Sequence, residues 1–178
     1  MTGNIGSIEA DRVSSAKHQT TVVPEPRASN PYLAEIEAER TGWHELAGLA
    51  RALTPEETLI PGYYADPAWT VRDVVAHVGT WLAEAENQFE RMFAGTYEGH
   101  DIDIDALNAE MLEAMSGQPW HVAWVQANAG RTKMLQDWYS LAEKSDEAGW
   151  WIRKAASDHY AQHLGRLREW VAELKARR

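Results

Sequence analysis

His159 and His163 stand four residues apart in the segment Ser157-Asp158-His159-Tyr160-Ala161-Gln162-His163. On a helix that spacing stacks two imidazoles on one face, with Cβ atoms about 5–6 Å apart. Two neutral rings at that separation can bind one ion, each through the lone pair of its unprotonated nitrogen. The competing reading is that each ring hydrogen-bonds a neighbouring helix or water, as half-buried histidines commonly do. A third ligand elsewhere in the chain would favour the metal.

The elements that would position the pair follow from periodicity. Ile152, Ala156, Leu167, Trp170 and Leu174 recur at the helical period between residues 147 and 175, with His159 and His163 on the same core-facing stripe. A second long helix opens at Thr70, with Asp73 placed to complete a capping box, and runs to about Phe93 before Gly95. Val71, Val74, Val75, Val78, Leu82, Ala85 and Phe89 form its buried face, and His77 lies at its flank between Val74 and Trp81. His77 is the remaining histidine held on a strongly amphipathic long helix, so it is the third candidate ligand. His44 has no His or carboxylate partner on its own face, and His121 sits near a helix start. Glu84, one turn beyond Trp81, is the nearest candidate carboxylate to His77, whereas Asp158 is about 100° around the helix from His159 and reads as a surface or interhelix charge.

Two further helices complete the pattern. Ile36, Trp43, Leu46, Ala47, Ala50 and Leu53 mark a first helix entered through Asn30-Pro31. Trp124, Ala127, Met134, Leu135, Trp138 and Leu141 mark another over residues 120–142, in which Gly130 permits a close helix contact. Thr54-Pro55-Glu56-Glu57 starts a short turn, and residues 62–69 form a loop whose Tyr63, Tyr64 and Trp69 either roof a cleft or cover a helix end. The alternating aspartates from Asp101 to Asp105 lack the glycine and distal Glu of a calcium loop and read as a helix entry. Ile104, Leu107, Met111, Leu112 and Met115 continue it as a short helix, from which Asn108 faces either solvent or a cleft. The expected fold is therefore all-α, a four-helix bundle with one long crossover carrying a short helix. Residues 1–29, rich in Gly, Ser and Thr without sustained period, are expected to be a flexible leader, and 30–178 the single domain.

Composition narrows the chemistry. A formal charge of -10 repels nucleic acid and anionic membranes, and no apolar run approaches the length of a membrane span. With no Cys there is no thiolate ligand or cysteine nucleophile, so thiol chemistry requires an external thiol. A cytoplasmic protein acting on a small molecule is expected, with a homodimer as an allowed assembly. The chain holds 9 Trp against 2 Phe, which favours pockets of mixed character because buried indole N–H groups need acceptors.

The segment Trp69-Thr70-Val71-Arg72-Asp73-Val74-Val75-Ala76-His77-Val78-Gly79-Thr80-Trp81, with Asp105-Ala106-Leu107-Asn108, Asp158-His159-Tyr160-Ala161-Gln162-His163-Leu164 and Arg168-Glu169-Trp170-Val171, resembles the DinB-like superfamily. The resemblance covers residues from about 31 to 176. It implies a four-helix bundle holding a divalent metal through His77, His159 and His163. The superfamily includes mycothiol-dependent maleylpyruvate isomerases, other thiol S-transferases and resistance proteins of the colibactin self-protection type.

Three imidazoles leave an ion with open positions, as in catalytic zinc sites, although nickel or iron also suits nitrogen ligands. Three functional classes follow. In the first, the ion activates a low-molecular-weight thiol cosubstrate against an electrophile held by Tyr63, Tyr64, Trp81 and Asn108. A second class uses water and is a hydrolase. The third is a non-catalytic bundle that binds a small molecule or serves a stress response. Metal loss is expected below about pH 6.5, the ordinary pKa of the ligands.

Overall fold

The computed structural model describes residues 33–65, 68–99 and 101–178. The expected leader, the Asn30-Pro31 entry and the Asp66-Pro67 break lie wholly or partly outside these residues. Among the described residues the chain is all-helical, with no strand. Its elements are α1 (Leu33–Arg51), a 3₁₀ turn (Glu57–Leu59), α2 (Val71–Ala94), α3 (Ile104–Met115), α4 (Trp120–Ser140), α5 (Asp146–Ile152), a π-helical stretch (Arg153–Ser157) and α6 (Asp158–Ala176). No helix among the described residues is long and apolar enough to cross a membrane.

Local chemistry sets the ends of these elements. The Asp73 amide donates to Thr70 Oγ1 at 3.2 Å while the Thr70 amide donates to Asp73 Oδ2 at 2.8 Å, closing the capping box that starts α2. Gly95, at φ 68°, ends that helix in the left-handed region that only glycine enters without strain. Asp103 and Ser145 cap α3 and α5 through their side-chain oxygens. α4 ends at Ser140, two residues before the expected Ala142.

α2 packs along α4, and α1 packs against α6 and the π-helical stretch. The α2–α4 approach depends on small residues: a Cβ added at Gly79 would stand 2.9 Å from Ala127 Cα, and one at Gly130 would stand 3.2 Å from the Gly79 carbonyl oxygen. Gly130 therefore permits the contact expected of it, with Gly79 as its counterpart across the interface. Leu46, Val74, Leu82, Phe89, Trp138, Trp151 and Leu167 fill the space between these helices, each almost fully buried.

The π-helical stretch runs directly into α6, and periodicity does not predict it. It widens the turn by one residue, so that Ala155 and Ala156 are both buried before the stripe resumes at His159. The buried stripe from Ile152 and Ala156 continues through it to His159 and His163.

Candidate metal centre

α2 supplies one imidazole to the site and α6 supplies two. His77, His159 and His163 are buried, with 8%, 5% and 6% of their surface exposed. His159 Nε2 lies 3.0 Å from His77 Nε2 and 3.1 Å from His163 Nε2. Bonds of about 2.1 Å place ligand nitrogens roughly 3.4 Å apart around a tetrahedral ion and roughly 3.0 Å apart at right angles, so the observed separations fit one shared ion. His44 and His121 are both exposed and remote from the group.

Proton accounting favours an ion over hydrogen bonds. Tyr63 Oη is 3.0 Å from the His163 carbonyl oxygen and 3.2 Å from His163 Nδ1. Its single proton goes to the carbonyl, which can only accept, and the phenol oxygen is left to accept from Nδ1–H. That tautomer turns the bare Nε2 of His163 to the cluster. His159 Nδ1 makes no hydrogen bond of normal geometry, yet the polar group that favours a proton on this ring is the Ala155 carbonyl one turn earlier. A proton on Nδ1 leaves Nε2 bare here too. In any tautomer, His159 Nε2 has one proton to give or one in-plane lone pair, and cannot satisfy two neighbours at 3.0 and 3.1 Å. A cation accepts all the lone pairs at once.

Electrostatics agree. Burial lowers the His77 pKa to about 3, with the nearby His163 as a smaller cause, and burial lowers that of His163 to about 4. His159 is also held well below the ordinary value, by burial first and then by the charges of His77 and His163. All three rings are thus neutral at pH 7, the form that coordinates a metal.

Aromatic side chains wall the cluster. Trp69 lies edge-on to His77 at 5.1 Å and stacks toward His163 at 6.5 Å, while Trp81 meets His159 edge-on at 5.8 Å. Trp81 Nε1 donates to Asn108 Oδ1 at 3.0 Å, so Asn108 faces the cleft rather than open solvent. A recess of roughly 120 Å³ opens beside the imidazoles between Trp81, Ile104, Asn108, Lys154 and Gln162. An adjoining recess of roughly 280 Å³ is lined by Trp69, His77, Asn108, Ala109 and Leu112. Of the expected substrate contacts, Trp81 and Asn108 line this space, whereas Tyr64, 36% exposed, lines neither recess and stands beside Tyr63 with Oη 3.5 Å from His163 Nδ1.

Two expectations are corrected. Tyr63 is 1% exposed and its hydroxyl is committed to His163, so it orients that imidazole from behind and offers no surface to a substrate. Glu84 does not line either recess, because its carboxylate accepts from Gln88 Nε2 at 2.6 Å along the same helix. Lys154 and Gln162 were not singled out from sequence. Lys154 sits in the π-helical turn, a feature that a simple 3.6-residue period does not report.

Other features carry less chemistry. Glu86, Glu90 and Asp137 also form a close acidic group, but Lys133 Nζ lies among them at 3.4, 3.5 and 2.7 Å and fills the cation position. A larger hollow of roughly 600 Å³ beside Trp138, Glu143 and Lys144 contains no imidazole.

Comparison with protein-family models and with curated proteins gives no match. Among solved structures, an uncharacterised protein from Escherichia coli UTI89 superposes with a TM-score of 0.66 and 16% identity, over 78% of this chain and 91% of that one. At that identity the likeness is one of fold, and the case for function rests on the three imidazoles.

Proposed function

We propose that this chain is a DinB-like four-helix bundle protein in which His77, His159 and His163 hold one divalent ion for thiol-dependent transfer to, or isomerisation of, an electrophilic small molecule. The observation that carries this reading is the convergence of three buried Nε2 atoms with too few protons to satisfy one another. The helix order supports the bundle, with the link between α2 and α4 carrying the short α3 as its crossover. Zinc is the first choice of metal, with nickel and iron as alternatives, because imidazole suits all three.

An ion held by His77, His159 and His163 would supply Lewis acidity, bringing the pKa of a thiol or water toward neutrality. The chain's own residues do the rest. Tyr63 fixes the tautomer of His163, Trp69 and Trp81 keep bulk water from the rings, and Asn108 presents a polar group at the entrance. The recesses admit a small molecule and no polymer segment of any bulk. Since the chain has no cysteine, the thiol is a cosubstrate, and a cytoplasmic setting would keep it reduced.

The test is elemental analysis of the purified chain, followed by a panel of low-molecular-weight thiols and electrophiles on metal-loaded and metal-stripped protein. One ion per chain and turnover that needs both metal and thiol are the expected results. Turnover with metal and water alone would replace transfer by hydrolysis. Ligand binding without turnover would make the chain a binding module, and failure to bind any divalent ion would end the tri-histidine reading.

A further inference from the structure

Lys154 belongs to the π-helical stretch immediately before α6, and its ammonium lies 5.3 Å from the centroid of the Trp81 ring, in the wall of the recess beside the imidazoles. It makes no ion pair among the described residues, whereas its neighbour Arg153 faces Glu35 at 3.8 Å. Among the described residues, neither recess beside the cluster has an Asp or Glu in its lining. In a chain with ten more acids than bases, an unpaired cation in an acid-free recess is a local reversal of the overall field.

Asn108 adds a directed donor. The indole N–H of Trp81 can only donate, so the Asn108 atom it meets at 3.0 Å is the carbonyl oxygen, and the amide NH₂ is left without a partner among the described residues. Gln162 lines the same recess with a second amide. The entrance therefore offers one ammonium and two amide groups, a set that matches a carboxylate or another oxyanion.

We propose that Lys154, assisted by the Asn108 amide, forms an oxyanion subsite at the mouth of the tri-histidine recess. The substrate then carries a carboxylate, sulfonate or phosphate apart from its reacting centre, and Lys154 selects it. This rests on the metal-centre reading above and adds the substrate class. Trp81 and the π-helical turn together hold the ammonium in place, one by its ring face and the other by aiming the side chain.

The test uses the zinc-loaded full chain and calorimetric titration with malonate, succinate and glutarate, each beside its own monoamide. Both members of each pair can place one carboxylate on the ion, so their difference reports the second carboxylate alone. At least one dicarboxylate is expected to bind wild type about tenfold more tightly than its monoamide, the size of a charge-assisted hydrogen bond at a partly open site. That preference should disappear in Lys154→Met and Lys154→Gln and persist in Lys154→Arg. No preference in wild type at any length, or the same preference in both neutral variants, overturns the subsite. Zinc content is measured on every sample. One equivalent throughout with an unchanged preference overturns the subsite and leaves the metal centre standing, whereas no zinc in wild type overturns both.

Discussion

Two buried polar clusters hold this protein's helices together, and they are satisfied in opposite ways. In one, Glu39 of α1, 1% exposed, receives Nε and Nη2 of Arg131 from α4 at 2.6 and 2.7 Å and the hydroxyl of Tyr160 from α6 at 3.2 Å. Charge meets charge, both carboxylate oxygens have partners, and the guanidinium also lies over the Trp43 ring at 5.4 Å. In the other, the imidazoles of His77, His159 and His163 face one another with lone pairs and no sufficient supply of protons. A cluster closed by its own residues is a structural tie. One that requires something from outside is a site.

The sharpest way to break this comparison is metal stoichiometry. His77→Ala, His159→Ala or His163→Ala should each take the chain from one bound ion to none, whereas His44→Ala and His121→Ala should leave it at one, as read by elemental analysis. In a metal-bound structure each of the three Nε2 atoms should lie about 2.0–2.2 Å from the ion. Retention of a full equivalent in His159→Ala would put the ion somewhere else.

Next in size is the closed cluster. Glu39→Ala leaves the Arg131 guanidinium half-buried without its counter-charge, a loss expected to be about 3–5 kcal/mol in urea unfolding. Adding Arg131→Met should recover much of that, because an apolar pair can replace a buried ion pair at little cost. A double variant as unstable as the single one would mean that the pair itself, and not the stranded charge, dominates.

The third prediction concerns pH. In the metal-free protein the three imidazoles have native pKa values below the ordinary 6.5 of the unfolded chain, near 3 for His77 and 4 for His163. Below pH 6.5 the unfolded state therefore binds protons that the folded state refuses. Stability contributed by these rings is complete above 6.5 and falls as pH drops toward 4, by up to about 1.4 kcal/mol per pH unit for each ring. The same burial changes the expectation for the metal. While the chain stays folded, protons compete for the ligands only near pH 4, and metal release should begin well below the pH 6.5 inferred from unperturbed histidines. Urea titrations and metal content across pH 4–7 separate the two curves, and coincident loss of metal and stability at 6.5 would contradict the burial argument.

The smallest expected effect is at Tyr63. Tyr63→Phe removes the group that fixes the His163 tautomer, and should weaken zinc about tenfold while keeping one site per chain, with a stability loss of about 1 kcal/mol. An unchanged zinc affinity would mean that packing alone orients His163.

Much of the helical framework was legible in the residues. Thr70 and Asp73 specify the start of α2 and Gly95 its end, because caps and left-handed turns are local chemistry within a few residues. The valine stripe of α2 and the stripe on α6 show which faces are buried, and so show that His77, His159 and His163 all turn inward. The i, i+4 spacing brings the α6 pair together without any tertiary information.

What only the tertiary structure decided is how separate stripes meet. Glu39 and Arg131 are 92 residues apart and share no motif, so nothing in the local pattern separates Glu39 from a surface acid. Tyr63 reads as a loop aromatic that would face a ligand. Arg166 instead donates to the Tyr63 and Gly62 carbonyls at 2.8 and 2.9 Å and holds the loop on α6, which turns the phenol inward against His163. The π-helical turn that carries Lys154 has no signal in a simple helical period. Periodicity determines which side of a helix is buried; the axial register and rotation of one helix against another arise from packing across the whole core, and those decided which buried groups find partners and which are left facing an open position.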